Sequence, residues 1–319
     1  MKIFDAPATR DALPFERLVE ALRAMFATGC EVPPRHVHEI GAPGGNALVS
    51  LIMPAWTARH YGIKTVNVAP GNAAQDLPGL HAVYLLFDAV TGVPLAQLDG
   101  NVITSRRTAA ASALAASWLA REDARHLLVV GAGAVARLLP SAYRAVRRIE
   151  RVTVWARRSD AAQALAAELR GQGFDAAAAA DLGTAVAAAD IVSCATLATE
   201  PIVHGRWLRA GSHLDLIGSF TPAMREADDD CFAGAALYVD TDEALQKSGE
   251  LLGPMSRGVF GRGDVRGTLA ALARGEARGR LSHDERTVFK SVGTALEDLA
   301  AATLVWETTQ GTGPTPDCG

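Results

Sequence analysis

Hydrophobic positions along the chain change rhythm twice. Residues 13–28 (LPFERLVEALRAMFAT) carry apolar side chains three and four apart, which predicts an amphipathic helix. From about 31 to 103 the runs are short and β-prone: ALVSLIMPA, KTVNVAP, AVYLLFDA and PLAQLDG, separated by the turn formers PGG, PGN and TGVP. This texture predicts a meander of antiparallel strands. Residues 104–120 (TSRRTAAASALAASWLA) predict a helix rich in small side chains, with Thr104 or Ser105 as its N-cap.

The second change comes at about 119. HLLVVGAGAVARLLPSAYRAV reads as strand, tight turn, helix, and RVTVWARR as the next strand. SDAAQALAAELRGQG is a helix ended by glycine; ADIVSCAT, GSHLDLIGS and ALYVDT read as further strands, and AAAAADLGTAVAAAD as helix and connector. Strands with continuous apolar runs, alternating with helices, predict an α/β fold: a Rossmann-type, doubly wound parallel sheet. DERTVFKSVGTALEDLAAATLVWET reads as one long helix with an apolar stripe. The predicted organisation is therefore a nucleotide domain at 119–294, inserted into an α+β domain made from 1–118 plus 295–319.

Composition adds limits. The net charge of -4 gives no general pull toward nucleic acid or anionic membrane, and no run of about 18 apolar residues suggests a membrane span. The N-terminus lacks the apolar core of a secretory signal. Cys30, Cys194, Cys231 and Cys318 are far apart with no CxxC pair, which fits reduced thiols in a cytoplasm. Of 31 basic residues only four are lysines, Lys2, Lys64, Lys247 and Lys290. A lysine in an apolar stretch of this arginine-rich chain therefore draws attention.

Gly131, Gly133, Ala134, Val135 and Ala136 fit the pattern GxGxxA between an apolar strand and a helix. The first glycine allows a tight turn, the second lets a pyrophosphate approach the backbone, and the small residue at 136 packs helix on strand. Helix N-terminal amides would face the anion. The end of the next strand reads Trp155-Ala156-Arg157-Arg158 with no acid before Asp160. Two guanidiniums suit a 2′-phosphate, so NADP(H) is favoured and NAD(H) possible; a solvated arginine pair is the alternative.

Arg106 and Arg107 fall in the first turn of the predicted helix, where cations oppose the dipole. An anionic ligand nearby would turn that penalty into attraction; a surface ion pair is the plainer alternative. Lys64, in GIKTVNV, could serve a substrate carboxylate or act as an acid if its pKa is lowered, or could point to solvent. Arg35 could add a guanidinium. His36 and His38 share a strand face but have no third ligand, so no metal is expected. The acidic run Glu226, Asp228, Asp229 and Asp230 reads as a solvated turn or helix start.

LIMPAW, GIKTVNVAPGN, DAVTGVPLAQLDG, ITSRRTAAASALAA, VVGAGAVA, IGSFTPAMRE and FKSVGTALEDLAAA together resemble the ornithine cyclodeaminase/mu-crystallin family over nearly the whole chain. The family includes cyclodeaminases, archaeal-type alanine dehydrogenases and imine or ketimine reductases. The resemblance implies a homodimer pairing through its β-rich segments, with a nucleotide domain held between the two ends of the substrate domain. It implies that Arg107 binds substrate carboxylate, that Lys64 lies at the reacting carbon, and that Arg35 completes the pocket. It also implies that Thr108, Thr196, Val292 and Gly293 line the cofactor. Cyclodeaminases of the family carry an aspartate where this chain has Phe220, and a lysine where it has Met224. Phenylalanine cannot pair with an amine, so the reading favours an NAD(P)-dependent imino or amino acid oxidoreductase. Ornithine cyclodeaminase, and a weakly catalytic cofactor-binding crystallin-like protein, are the alternatives. Phe220, Met53 and Trp56 are candidates for an apolar pocket, with core packing the other role for Met53.

Overall fold

The computed structural model describes residues 1–41, 48–75 and 77–310; the PGG turn at 43–45 and Cys318 lie outside them. The chain forms two compact units, Met1–Arg107 together with the segment from Thr294 onward, and Thr108–Gly293. The division falls inside a helix, between Arg107 and Thr108.

The first unit begins with β1 (Lys2–Phe4), α1 (Ala6–Asp11) and α2 (Phe15–Thr28). The meander follows as β2 (His36–Ile40), β3 (Leu48–Trp56), β4 (His60–Val68), β5 (Leu80–Asp88) and β6 (Pro94–Asp99), and leads into α3 (Gly100–Leu119). In the second unit come β7 (His126–Val130), α4 (Leu139–Arg144), β8 (Arg151–Trp155), α5 (Ser159–Gly171), β9 (Asp175–Ala178) and α6 (Leu182–Ala188). It continues through β10 (Ile191–Cys194), β11 (His213–Leu216), β12 (Ala236–Val239), α7 (Ala244–Lys247), α8 (Gly249–Ser256), β13 (Val265–Thr268), α9 (Leu269–Ala273) and β14 (Thr287–Lys290). Helix α10 (Ala295–Gln310) returns to the first unit.

The first unit holds a six-stranded sheet in the order β1-β6-β5-β4-β3-β2, antiparallel along the meander, with β1 added parallel to β6. Strand β4 alternates strictly: His60, Gly62, Lys64 and Val66 are buried, while Tyr61, Ile63, Thr65 and Asn67 are half-buried. Helix α10 packs on β3, β4, β5 and β6 and against α2. One register row runs Met53–Lys64–Tyr84–Leu98 across four strands, and all four side chains are buried.

The second unit holds an eight-stranded, wholly parallel sheet, β13-β12-β14-β11-β10-β7-β8-β9. Strand order reverses at β7 and β10, whose register pairs Val130 with Cys194. Crevices for nucleotides form outside the carboxyl ends of the strands at such a switch point. The central strands β10, β11, β12 and β14 are buried at every position, as their continuous apolar runs require.

Four expectations need correction. The segment 284–308 is not one helix: TVFK forms β14, held in register by β11 on one side and β12 on the other. Burial on both faces outweighs a helical pattern that four residues cannot establish. Helix α3 starts a turn before Thr104, because Asp99 Oδ1 accepts from Val102 N at 2.8 Å and supplies the cap. Thr104 and Ser105 instead hydrogen-bond back to Gly100 O and Asn101 O within the helix, and Arg106 and Arg107 move to its second turn. After the glycine turn, residues 134–138 form irregular turns and the regular helix waits until Leu139. Finally, Glu226 is not solvated but completely buried, because three donors converge on its carboxylate.

Candidate active site

In the first unit, two cations and two carboxylates meet below the sheet. Lys64 projects from β4 toward α10, and its Nζ lies 2.6 Å from Asp298 Oδ2. The other oxygen of Asp298 accepts from Arg107 Nε at 2.9 Å, and Arg107 Nη1 donates to Glu297 Oε2 at 2.5 Å. The chain of contacts is thus Glu297, Arg107, Asp298, Lys64. All four are buried, Arg107 the most exposed at 7%. Glu297 and Asp298 sit in the first turn of α10, where the helix dipole favours negative charge. Buried charges persist only when paired, and here the pairing balances.

The electrostatics separate the two cations. Burial pulls the Lys64 ammonium down to about 8; Asp298 opposes the fall and Arg107 deepens it. Burial also works against the Arg107 cation, but Asp298 and Glu297 outweigh it and hold its pKa above the ordinary value. For Asp298, burial would raise the carboxyl, and Lys64 with Arg107 override it. The result is a fixed guanidinium and a lysine able to exchange a proton near neutral pH.

Arg106, the neighbour of Arg107, has a different task. Its Nε and Nη2 donate to Leu13 O, and its guanidinium lies 4.2 Å from the centre of the Phe15 ring, fastening α3 to the start of α2. Arg35 is half-buried immediately before β2. His36 pairs with Ile52 and Ile52 with Thr65, so Arg35 stands one position before that row, level with the Met53–Lys64 pair. His36 and His38 are exposed on this edge strand. Met53 is core, whereas Trp56 is 39% exposed.

In the second unit a cleft opens at the switch point, lined by Gly131, Ala132, Gly133, Trp155, Arg157 and Arg158 on one side and by residues 195–200 and Ile202 on the other. Gly131 has φ +123°, and a Cβ there would stand 2.5 Å from Ala195 O. Its N–H donates to Trp155 O at 2.8 Å, tying the turn to the end of β8. A Cβ on Gly133 would meet nothing within 4 Å: it would enter the open cleft. Ala136 is fully buried beneath the turn, while Ala134 is exposed and Val135 half-buried; none of these three lines the cleft. Arg157 and Arg158 are exposed at the rim, and Arg158 Nε is 4.0 Å from Asp160, so neither is locked away from a ligand. A nicotinamide dinucleotide fits this cleft, since the backbone is bare where its pyrophosphate would approach and cationic at the adenosine end.

The remaining sequence candidates divide. Thr196 lines the cleft. Val292 and Gly293 do not; their amides donate to Asp240 Oδ2, each at 2.7 Å. Thr108, half-buried on α3, is not a lining residue either. Glu297 and Asp298 escaped the sequence reading, although two adjacent acids within ALEDLAAA were a visible signal.

A family model of the ornithine cyclodeaminase/mu-crystallin family matches residues 15–313. The chain belongs to this family. The Δ1-pyrroline-2-carboxylate reductase of Paracoccus denitrificans is 46% identical over 292 residues, covering 90% of this chain and 90% of its own length. Among solved structures, the Thermococcus litoralis Δ1-pyrroline-2-carboxylate reductase, in complex with NADH and L-proline, superposes with a TM-score of 0.90 at 32% identity, covering 99% of this chain and 100% of that one. An archaeal alanine dehydrogenase dimer with bound NAD gives a TM-score of 0.88 at 29% identity, covering 98% of each chain. Where cyclodeaminases of the family carry their aspartate, Phe220 is 50% exposed and offers no acid; Met224, in the lysine's place, is buried.

Proposed function

We propose that this protein is an NAD(P)-dependent reductase of small 2-imino acids, transferring hydride between nicotinamide and the carbon of a C=N bond. The observation that carries the reading is the Lys64–Asp298–Arg107–Glu297 array: a buried proton donor with pKa near 8 coupled through one carboxylate to a permanent guanidinium. The cofactor supplies the hydride. Arg107, assisted by Arg35, presents its fork to the substrate carboxylate, in competition with Glu297. Lys64 gives its proton to the substrate nitrogen as the carbon is reduced, and Asp298 keeps the ammonium aimed. Residues 1–118 plus 295–319 serve as substrate and dimerisation domain, and 119–294 as cofactor domain; Thr108, Val292 and Gly293, which stand outside the glycine-turn cleft, would meet the part of the cofactor that extends beyond it.

Oxidation of NADH and NADPH, measured with Δ1-pyrroline-2-carboxylate, its six-membered homologue and pyruvate plus ammonia, tests the proposal. Turnover on a cyclic imino acid is the expected result. Absence of turnover on all three, with cofactor bound, would make the protein a binder. Ornithine converted to proline and ammonia without net cofactor change would make it a cyclodeaminase.

The exposed pair Arg157 and Arg158 supports a preference for NADP(H). Removing both (Arg157→Ala with Arg158→Ala) is expected to raise KM for NADPH roughly ten- to hundredfold, the scale of one or two charge-assisted hydrogen bonds, with little change for NADH. Equal effects on the two cofactors would refute the assignment.

The pH dependence follows from Lys64. Its ammonium is the reactive form for reduction, so kcat/KM should be flat on the acid side and fall above about pH 8. Oxidation of the amino acid needs the neutral amine, so the reverse reaction should rise through the same value. Profiles of both directions check the sign.

A homodimer forms through the outer face of the six-stranded sheet. Tyr61, Ile63, Leu85 and Phe87 there are half-buried, with the Tyr61 and Phe87 rings stacked at 5.5 Å. The free thiols Cys30, Cys194 and Cys231 fit a reducing cytoplasm.

A further inference from the structure

The cleft wall at 195–202 is fastened at both ends to one residue that does not itself line the cleft. Glu226 is completely buried. Its Oε1 accepts from Thr196 N at 2.7 Å and from Thr196 Oγ1 at 2.8 Å, and its Oε2 accepts from Gly218 N at 2.7 Å. The main-chain oxygen of the same residue accepts from Ile202 N and Val203 N, both at 2.9 Å. Between these anchors, Ala198 O accepts from Arg225 N at 2.9 Å, and Ala198 N donates to Thr196 Oγ1 at 3.2 Å. The exits of β10 and β11 are thereby joined through a single carboxylate.

The wall has no slack. A Cβ on Gly218 would collide with Thr196 O and with the Glu226 carboxylate, and a Cβ on Gly131 would press on Ala195 O. Movement of the wall is therefore coupled to movement of Glu226 and to the first glycine of the turn.

We infer that Glu226 is a positioning residue for the dinucleotide, fixing the wall that faces the glycine turn across the cleft; the inference rests on the cofactor reading proposed above. Three donors converge on its two oxygens, so both oxygens must accept. An ionised carboxylate does this, whereas an amide would turn an NH2 group toward either Thr196 or Gly218. Burial works against the anion and raises the Glu226 pKa; the buried Lys290, whose Nζ donates to Leu216 O at 2.9 Å, and the donors from Thr196 and Gly218 oppose that rise. The main-chain N–H groups of Glu226 and Ala227 donate to Glu250 at 2.7 and 2.9 Å, which fixes the backbone that carries the carboxylate.

The test compares wild type with Glu226→Gln. NADH and NADPH are titrated by quenching of tryptophan fluorescence, because Trp155 lines the cleft. Hydrogen exchange of peptides covering 195–203, melting temperature and steady-state kinetics are measured on the same samples. The expected result is a Kd and KM for cofactor raised about tenfold. Exchange should quicken within 195–203, and kcat at saturating cofactor should change far less than KM. An unchanged Kd in the folded variant overturns the inference, even where the melting temperature falls, since a purely structural role moves only the latter. If Glu226→Gln does not fold, Thr196→Val decides: a severalfold weaker Kd supports the inference, and an unchanged Kd overturns it. Wild type that binds neither cofactor removes the cofactor reading itself, a result distinct from a variant that binds as well as wild type.

Discussion

Replacing Lys64 with methionine is expected to lower turnover by about 10²–10⁴-fold, the range that a positioned general acid contributes. Methionine preserves most of the side-chain volume in the buried row beside Met53 and Tyr84. It removes the 2.6 Å contact to Asp298, which keeps its 2.9 Å bond to Arg107 and so remains a paired carboxylate. Folding should survive, and affinity for NADPH, measured by direct titration, should stay near the wild-type value. The pH limb near 8 should vanish from whatever activity remains. Normal turnover by Lys64→Met on the substrate reduced by the wild type would remove the proposed chemistry. Removing Arg107 is a poorer probe, because it breaks two buried ion pairs at once, to Glu297 and to Asp298, and a broken buried pair costs roughly 3–5 kcal/mol of stability.

The second large effect is expected at Gly133. Valine there should weaken binding of either dinucleotide by at least about a hundredfold, equivalent to about 2.7 kcal/mol. The melting temperature should hardly move. The two halves of this expectation share one cause: the added side chain enters open cleft and meets no protein atom within 4 Å. Gly131 behaves differently. Its φ of +123° and the Ala195 carbonyl oxygen beside it mean that a side chain there damages the fold itself. Calorimetric titration with circular dichroism on Gly133→Val separates the cases. Undiminished cofactor binding would place the pyrophosphate elsewhere.

Much of this was legible in the chain because the relevant signals are local. The tight turn after β7, the arginines after β8 and the meander from 36 to 99 all depend on neighbours a few residues apart. The scarcity of lysine pointed to Lys64 for a related reason, since an arginine-rich chain that places lysine inside an apolar run departs from its own habit. Two of the misreadings, TVFK and Glu226, have the opposite property, whereas the cap of α3 is a local signal set one turn earlier. TVFK became a strand only because β11 and β12 flank it, and both lie well upstream in sequence, β12 ending at Val239 and β14 starting at Thr287. Asp99 capped α3 from the end of β6, one turn upstream of the expected cap. Glu226 looked like part of an acidic, solvated stretch because its three donors come from Thr196 and Gly218, the exits of two other strands.

By itself the sequence determined the family, the parallel sheet with its glycine turn, the antiparallel meander and the identity of the two candidate cations. Those follow from periodicity, turn chemistry and motif, which are written in contiguous residues. Only the tertiary structure decided what those cations touch. Lys64, Arg107 and Asp298 lie far apart along the chain, and their charges acquire shifted pKa values because the sheet and α10 exclude water around them. Burial is a property of the packed whole, so neither the lysine near pKa 8 nor the carboxylate that couples it to the guanidinium could be read from the residues adjoining them.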